Sequence, residues 1–135
     1  MKYWLFMLKP DTYEIAKEHQ VVGFRNGVEK RLAEIRQGDP FVIYLSRKRL
    51  FVNAGTVDGP NYIDDSPIFG EKPRYSNRVR IHLRGKDQTV DASEGLWSIE
   101  ALHSKKAFPW AILITKGSFV EITQSNFDWI TGQFE

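Results

Sequence analysis

The segment that decides the fold is GFRNGVEKRLAEIRQGDPFVIYLS, residues 23–46. Within it, Val28, Leu32 and Ile35 fall at the i, i+4 and i+7 positions of a helix, which predicts one apolar stripe. Residues 41–46 are apolar at nearly every position, which is typical of a strand buried on both faces. The segment therefore predicts an amphipathic helix that packs on a sheet, in a mixed α+β domain.

Further strands are predicted on both sides of this segment. Residues 3–8 are apolar on both faces, which indicates a central place in a sheet or barrel. Residues 51–57 are predicted to form a hairpin with residues 41–46. Three cationic residues occupy the turn between these two strands: Arg47, Lys48 and Arg49.

The C-terminal half is predicted to add three strands. In residues 78–84 apolar and polar side chains alternate, so the polar ones are predicted to face outward: Arg78, Arg80, His82 and Arg84. Residues 110–115 and 118–122 are apolar runs on either side of Lys116-Gly117. We expect these two runs to be paired strands.

Capping residues place two helices. Asn26 is predicted to be the N-cap of the amphipathic helix, with Glu29 in the reciprocal capping position. The last helix is predicted to begin at Ser125 or Asn126. Residues 21–25 are expected to be an irregular connection, and residues 58–76 a long loop that is functional or contains a short element.

The element count indicates the architecture. About six strands and three or four helices fit a curled sheet or pseudo-barrel with the helices packed outside. A chain of 135 residues has the length of one domain. We find no internal repeat or interdomain linker, so residues 1–135 are expected to form a single domain.

Composition excludes several kinds of protein. The chain contains no cysteine, which excludes a disulfide framework, a thiolate zinc site and a cysteine nucleophile. No apolar run approaches the roughly 20 residues that cross a bilayer. We therefore expect no membrane association, no metal or organic cofactor, and a cytoplasmic location.

Charge is segregated along the chain, although the formal net charge is only +2. Residues 72–86 contain six lysines and arginines and no carboxylate, and cations cluster again at residues 47–49 and 105–106. Carboxylates gather within residues 58–65 and 87–94. Such segregation is typical of a phosphate-binding face, and ordinary solvated strands and loops also produce it.

Five short motifs follow one another along the chain: Tyr3-Trp4-Leu5, Gly23-Phe24-Arg25-Asn26, Gly38-Asp39, Tyr44-Leu45-Ser46 and Ala54-Gly55-Thr56-Val57. Their order and spacing, with the paired strands and helix predicted over residues 112–134, resemble an EVE domain. EVE domains are small PUA-like folds related to the YTH readers of methylated RNA. Many members carry Trp one or two positions before the motif glycine, where this chain has Val21-Val22.

The resemblance implies a non-catalytic domain that binds DNA or RNA and holds one modified base in an aromatic pocket. Methylated cytosine and methylated adenine are the expected kinds of base. An effector protein or a fused enzymatic module is a further possible partner, and a monomer is favoured.

A base pocket needs a ring for stacking, neutral groups for the base edge and cations for the flanking phosphates. The stacking candidates are Trp110, Phe69 and Phe24, each of which can equally be a core residue. The complete base-pocket set is Val22, Gly23, Phe24, Asn26, Ser46, Asp64, Phe69 and Trp110. The phosphate-binding set is Arg25, Arg47, Lys48, Arg78, Arg80, Lys105 and Lys106.

Two other functions stay open. A general RNA-binding accessory domain, without preference for a modified base, needs only the basic clusters. A small hydrolase or nucleotide-binding enzyme has less support, because His19, His82 and His103 lack metal-ligand spacing. No Gly-rich phosphate loop and no Gly-x-Ser-x-Gly elbow occurs.

Overall fold

The computed structural model describes residues 1–70, 75–104 and 107–135. Its strands are β1 (Tyr3–Leu8), β2 (Val21–Phe24), β3 (Pro40–Leu45), β4 (Leu50–Val57), β5 (Tyr62–Ile63), β6 (Asn77–Leu83), β7 (Val90–Asp91) and β8 (Phe119–Ile122). Its α-helices are α1 (Pro10–His19), α2 (Glu29–Leu32), α3 (Pro109–Thr115) and α4 (Gln124–Thr131). Two 3₁₀ helices cover Gly95–Ser98 and Glu100–Leu102.

One curled sheet runs in the order β2-β6-β4-β3-β1-β8. β1 and β3 are parallel, and the other neighbours are antiparallel. The two-residue strands β5 and β7 pair with β6 and β4. The predicted mixed α+β architecture, a curled sheet with helices packed outside, is confirmed.

The sheet has an apolar cluster on each face, and β1 contributes to both. Trp4, Phe6 and Leu8 join the cluster that contains α1 and α2 residues. Leu5 joins the cluster formed with α3 and α4. This follows from the strand geometry, because successive side chains point to opposite faces.

The N-terminal motif segment departs from prediction at two points. Residues 21–25 are not an irregular connection, because Val21–Phe24 are all buried and pair antiparallel with β6. Asn26 is not an N-cap, because α2 begins only at Glu29. The Glu29 carboxylate instead accepts the Gly27 N–H at 3.0 and 3.1 Å, which closes the turn before the helix.

The C-terminal segment also departs from prediction. Residues 110–115 form helix α3 instead of a strand, because an apolar run alone does not separate the two. Pro109 occupies the first helical turn, where its fixed φ favours a helix. The last helix is capped by Thr123, whose Oγ accepts the Asn126 N–H at 3.0 Å.

The Gly38-Asp39 motif has a structural role. The buried Asp39 carboxylate accepts hydrogen bonds from Trp4 Nε1 at 3.0 Å, the Arg36 N–H at 3.0 Å and the Lys2 N–H at 3.2 Å. These bonds fix the start of β1 to the turn before β3. Across the described ranges, no helix has the length and apolarity needed to cross a membrane.

Candidate functional site

A cavity of about 640 Å³ opens between β1, β2, α3 and the β3–β4 turn, and we call it the first cavity. Its volume lies within the range of about 300–1,000 Å³ typical of ligand pockets. The aromatic residues that line it are Phe24, Tyr44, Tyr75 and Trp110. The cationic residues that line it are Lys9, Arg25, Arg47 and Arg49. Among the described residues, no carboxylate lines it.

A second cavity of about 280 Å³ adjoins the first. The two cavities share Tyr44, Arg49 and Trp110. The second cavity is otherwise lined mainly by the 3₁₀ helix at Gly95–Ser98 and by the start of α3. The two cavities are therefore adjacent.

Gly23 makes room for one wall of the first cavity. A Cβ on Gly23 would lie 2.5 Å from the Tyr75 Cβ, 2.8 Å from the Tyr75 carbonyl oxygen and 2.9 Å from the Phe69 ring. Tyr75 can therefore approach β2 only because residue 23 has no side chain. Tyr75 thus supplies an aromatic wall beside Gly23 of β2.

Phe69 supports that wall from outside the cavity lining. It is buried, and its ring meets the Tyr75 ring edge-on at a centroid distance of 5.6 Å. Phe24 does line the cavity, but its ring packs against Phe6 at 5.4 Å and Phe119 at 4.9 Å. Neither ring therefore offers a face to a ligand, and of the other aromatic residues in the lining Trp110 is 41% exposed.

Arg78 is 1% exposed, so the prediction that it faces outward is wrong. Its guanidinium donates to the Ser66 carbonyl at 2.5 Å, to Ser66 Oγ at 2.8 Å and to the Tyr75 carbonyl at 3.2 Å. It also lies 5.2 Å from the Phe69 ring centroid and 3.5 Å from an Asp64 oxygen. The loop that contains Ser66 covers this end of β6. Arg78 therefore holds that loop in place and is not a surface contact for phosphate.

Three other members of the predicted base-pocket set lie outside the cavity lining. Val22 is buried in the core, and Asn26 is exposed but is not among the lining residues. Asp64 accepts the Ser66 N–H at 2.8 Å, and this bond is the main cause that lowers the pKa of the Asp64 carboxyl. The structure brings Gly23, Phe24, Ser46 and Trp110 together in the lining.

The predicted phosphate contacts divide in a similar way. Arg25 and Arg47 line the first cavity, whereas Lys48 is exposed on the same turn as Arg47 but outside the lining. Arg80 is exposed on β6, with its guanidinium 5.0 Å from the Tyr62 ring centroid. Lys105 and Lys106 lie outside the described residues.

The β3–β4 turn holds its cations in a strained backbone. Arg47 has φ +69° and Arg49 has φ +56°, a region that non-glycine residues rarely occupy. The Lys48 N–H donates to the Ser46 carbonyl at 2.8 Å, and this three-residue turn with positive φ at its centre is rare and strained. Strain of this kind is concentrated at ligand-binding sites.

Trp110 stands at the first turn of α3, 41% exposed, and lines both cavities. The far end of α3 is held by two arginines. Arg25 donates to the Thr115 carbonyl at 3.3 Å, and Arg31 donates to the Lys116 carbonyl and, at 2.9 Å, to the Phe119 carbonyl. These bonds fix α3 against the edge of the first cavity.

Sequence reasoning missed several residues of the first cavity: Lys9, Thr12, Tyr44, Arg49 and Tyr75. Tyr44 belongs to the Tyr-x-Ser motif and Arg49 to the basic turn, so the sequence contained a signal for both residues. Burial raises the pKa of the Tyr44 hydroxyl, and Arg49 opposes that change. The sequence contained no such signal for Tyr75, because its position depends on a long-range contact with Gly23.

The described residues contain no group of three or more His, Asp or Glu residues that could hold a metal ion. His103 Nε2 lies 2.6 Å from the Trp97 carbonyl oxygen, and no described hydrogen bond joins a histidine to a hydroxyl or a carboxylate.

The curled mixed sheet and its helices define a small α+β domain with an aromatic and cationic cavity. The chain belongs to the EVE domain family, whose model matches residues 2–133.

Similar proteins agree with this placement. The UPF0310 protein PH1033 of Pyrococcus horikoshii is 29% identical over 94 residues, which cover 60% of this chain and 65% of that protein, so the match spans less than two thirds of that relative. The YTH domain-containing protein mmi1, solved as an RNA complex, has a TM-score of 0.70 at 11% identity, over 98% of this chain and 80% of that one. A hypothetical protein from Leishmania major has a TM-score of 0.66 at 18% identity, over 98% and 93% of the two chains. The two structural likenesses establish the fold alone.

Proposed function

We propose that this domain binds nucleic acid and holds one modified base, such as 5-methylcytosine or N6-methyladenine, in the first cavity without catalysis. The observation that carries the proposal is the lining itself: aromatic rings, four cations and, among the described residues, no carboxylate. The RNA complex of the structurally similar mmi1 supports this choice of partner.

The charge of the lining selects the class of ligand. Aromatic pockets also bind quaternary ammonium groups and methylated lysine, through attraction of a cation to ring faces. Lys9, Arg25, Arg47 and Arg49 would repel such a cation and attract an anion. A base that carries its own phosphates fits both the rings and the cations.

The rings and polar groups have separate tasks in the proposal. Trp110, which is 41% exposed, and Tyr75 both line the cavity, and stacking of a base on an aromatic ring contributes about 1–3 kcal/mol. The Ser46 and Thr12 hydroxyls can hydrogen-bond the base edge. Burial of an added methyl group contributes only about 0.8 kcal/mol. A tenfold preference, about 1.4 kcal/mol, therefore requires that the cavity also disfavour the unmodified base.

The test is the binding of matched oligonucleotides, modified and unmodified, single- and double-stranded, at one physiological salt concentration. We expect a preference of about tenfold or more for one modified base. Trp110→Ala should abolish that preference, whereas Trp129→Ala, a tryptophan 49% exposed and outside both cavities, should retain it. Equal and salt-sensitive binding of all ligands would favour a general RNA-binding domain, and absence of binding would reopen the enzyme hypothesis.

A further inference from the structure

An aromatic surface beside the first cavity has no part in the function proposed so far. Trp97 and Phe108 are 49% and 60% exposed, and both line the second cavity but not the first. The Phe108 and Trp110 rings are parallel within 6° at a centroid distance of 6.4 Å. The Trp97 ring meets the Phe108 ring edge-on at 6.0 Å. Large exposed apolar side chains that cluster in this way mark binding surfaces.

The residues that this surface shares with the first cavity indicate what it binds. Trp110 lies between the two cavities and contributes to both. Arg49 is likewise shared, and it is the one cationic residue among the described residues that line the second cavity. Two adjoining aromatic subsites with a shared guanidinium match two successive bases joined by a phosphate.

Resting on the proposed function, we propose that the second cavity binds the base next to the modified one, with Arg49 at the phosphate between them. The ligand is then a single strand, because a neighbouring base in a duplex stays paired and stacked and does not reach Trp97 and Phe108. Recognition at this second subsite is tolerant of sequence, since every base presents a π-face to an aromatic ring.

The experiment uses the full chain and fluorescent single-stranded pentanucleotides with 5-methylcytosine, N6-methyladenine or the corresponding unmodified base at the centre. In matched ligands, an abasic sugar replaces the base on one side of the centre or the other, which retains every phosphate. We expect the abasic change on one side to weaken binding about tenfold, by loss of one stacking contact. The combined variant Trp97→Ala/Phe108→Ala should weaken binding of the intact ligand by the same factor and should be insensitive to that abasic change.

Trp129→Ala is the matched control, since Trp129 has the same 49% exposure as Trp97. A Cβ on Gly95 would lie 3.1 Å from the Trp129 ring, so this control also reports on loosening of the 3₁₀ helix that carries Trp97. It should keep wild-type affinity and the full abasic effect. Circular dichroism checks that each variant is folded.

Equal affinity for abasic and intact ligands overturns the second subsite, as does an abasic effect that persists in the Trp97→Ala/Phe108→Ala variant. Tighter binding of the same sequence as a duplex also overturns it. The preference for the modified centre base is read in the same titrations and tests the proposed function separately. Loss of that preference with a retained neighbour effect contradicts the modified-base reading and supports the second subsite.

Discussion

At the scale of single residues, Gly23 has the most exacting position. A methyl group there would meet the Tyr75 carbonyl oxygen at 2.8 Å, and backbone cannot move aside as a flexible side chain can. We expect Gly23→Ala to lower the free energy of unfolding by about 1–3 kcal/mol, the usual cost of overpacking. It should also abolish binding, because Tyr75 would be displaced from the first cavity. Urea denaturation and oligonucleotide titration measure the two effects.

Gly85→Ala is the control for this substitution. No atom lies within 4 Å of a Cβ at Gly85, so the change should leave stability and binding near their wild-type values. Wild-type affinity in a folded Gly23→Ala variant would show that Tyr75 is not a wall of the binding site.

At the scale of elements, the β3–β4 turn should trade stability for binding. Arg47→Gly relieves a left-handed backbone conformation that costs about 1–2 kcal/mol. Part of that gain is lost, because glycine adds about 0.5–1 kcal/mol of unfolded-state entropy. We expect unchanged or slightly increased stability together with weaker binding of every oligonucleotide, measured by urea midpoint and Kd.

Lys48→Gly removes the same charge from the same turn, but Lys48 has no positive φ and lies outside the cavity lining. It should lose up to about 1 kcal/mol of stability and little affinity. If both glycine variants lose the same stability, Arg47 is not strained.

The elements also show where prediction from sequence succeeds and fails. Residues 3–8 were predictable, because an unbroken apolar strand must be covered on both faces. α3 was not, since its apolar run fits a strand or a buried helix. Arg78 follows the strand alternation, but a distant loop covers the face on which it lies. Gly23 was predicted because the family pattern singles it out. Trp110 was predicted as a ring at the start of a strand, and it lines the cavity from helix α3 instead. Tyr75 depends on long-range packing.

At the scale of the whole molecule, the free energy of unfolding should decrease at both acidic and alkaline pH. Hydrogen bonds from backbone N–H groups are the main cause that lowers the pKa of Glu29, Asp64 and Asp91. Burial alone would raise the pKa of Asp87, but hydrogen bonds from Tyr13 and Lys17 lower it. A carboxyl with a lowered pKa stabilises the fold above its unfolded pKa of about 4, and this contribution is lost as the pH falls.

At alkaline pH the dependence of stability on pH has the opposite sign. Burial and the hydrogen bond to Asp87 raise the pKa of Tyr13, and burial raises the pKa of Tyr44. Their contribution is full below the unfolded pKa of about 10 and is lost as the pH rises. We therefore expect a stability plateau between about pH 5 and pH 9, measured by urea midpoints.

Asp87→Asn should reduce the loss of stability at acidic pH. An unchanged loss of stability at acidic pH would exclude Asp87 as a contributor.

The distribution of cations over the surface predicts how binding depends on salt concentration. On a single strand, the logarithm of the binding constant falls with the logarithm of salt concentration by about 0.7 per phosphate neutralised. If the four cations of the first cavity each meet one phosphate, the slope is about −3, although the net charge of the whole chain is only +2. Arg49→Ala should reduce the slope by about 0.7. Arg80→Ala and Arg84→Ala should not change it, because those guanidinium groups lie over the Tyr62 and Phe127 rings, outside both cavities. A reduced slope in the Arg80 variant with an unchanged slope in the Arg49 variant would instead place the phosphates along β6, as the alternating arginines of that strand first predict.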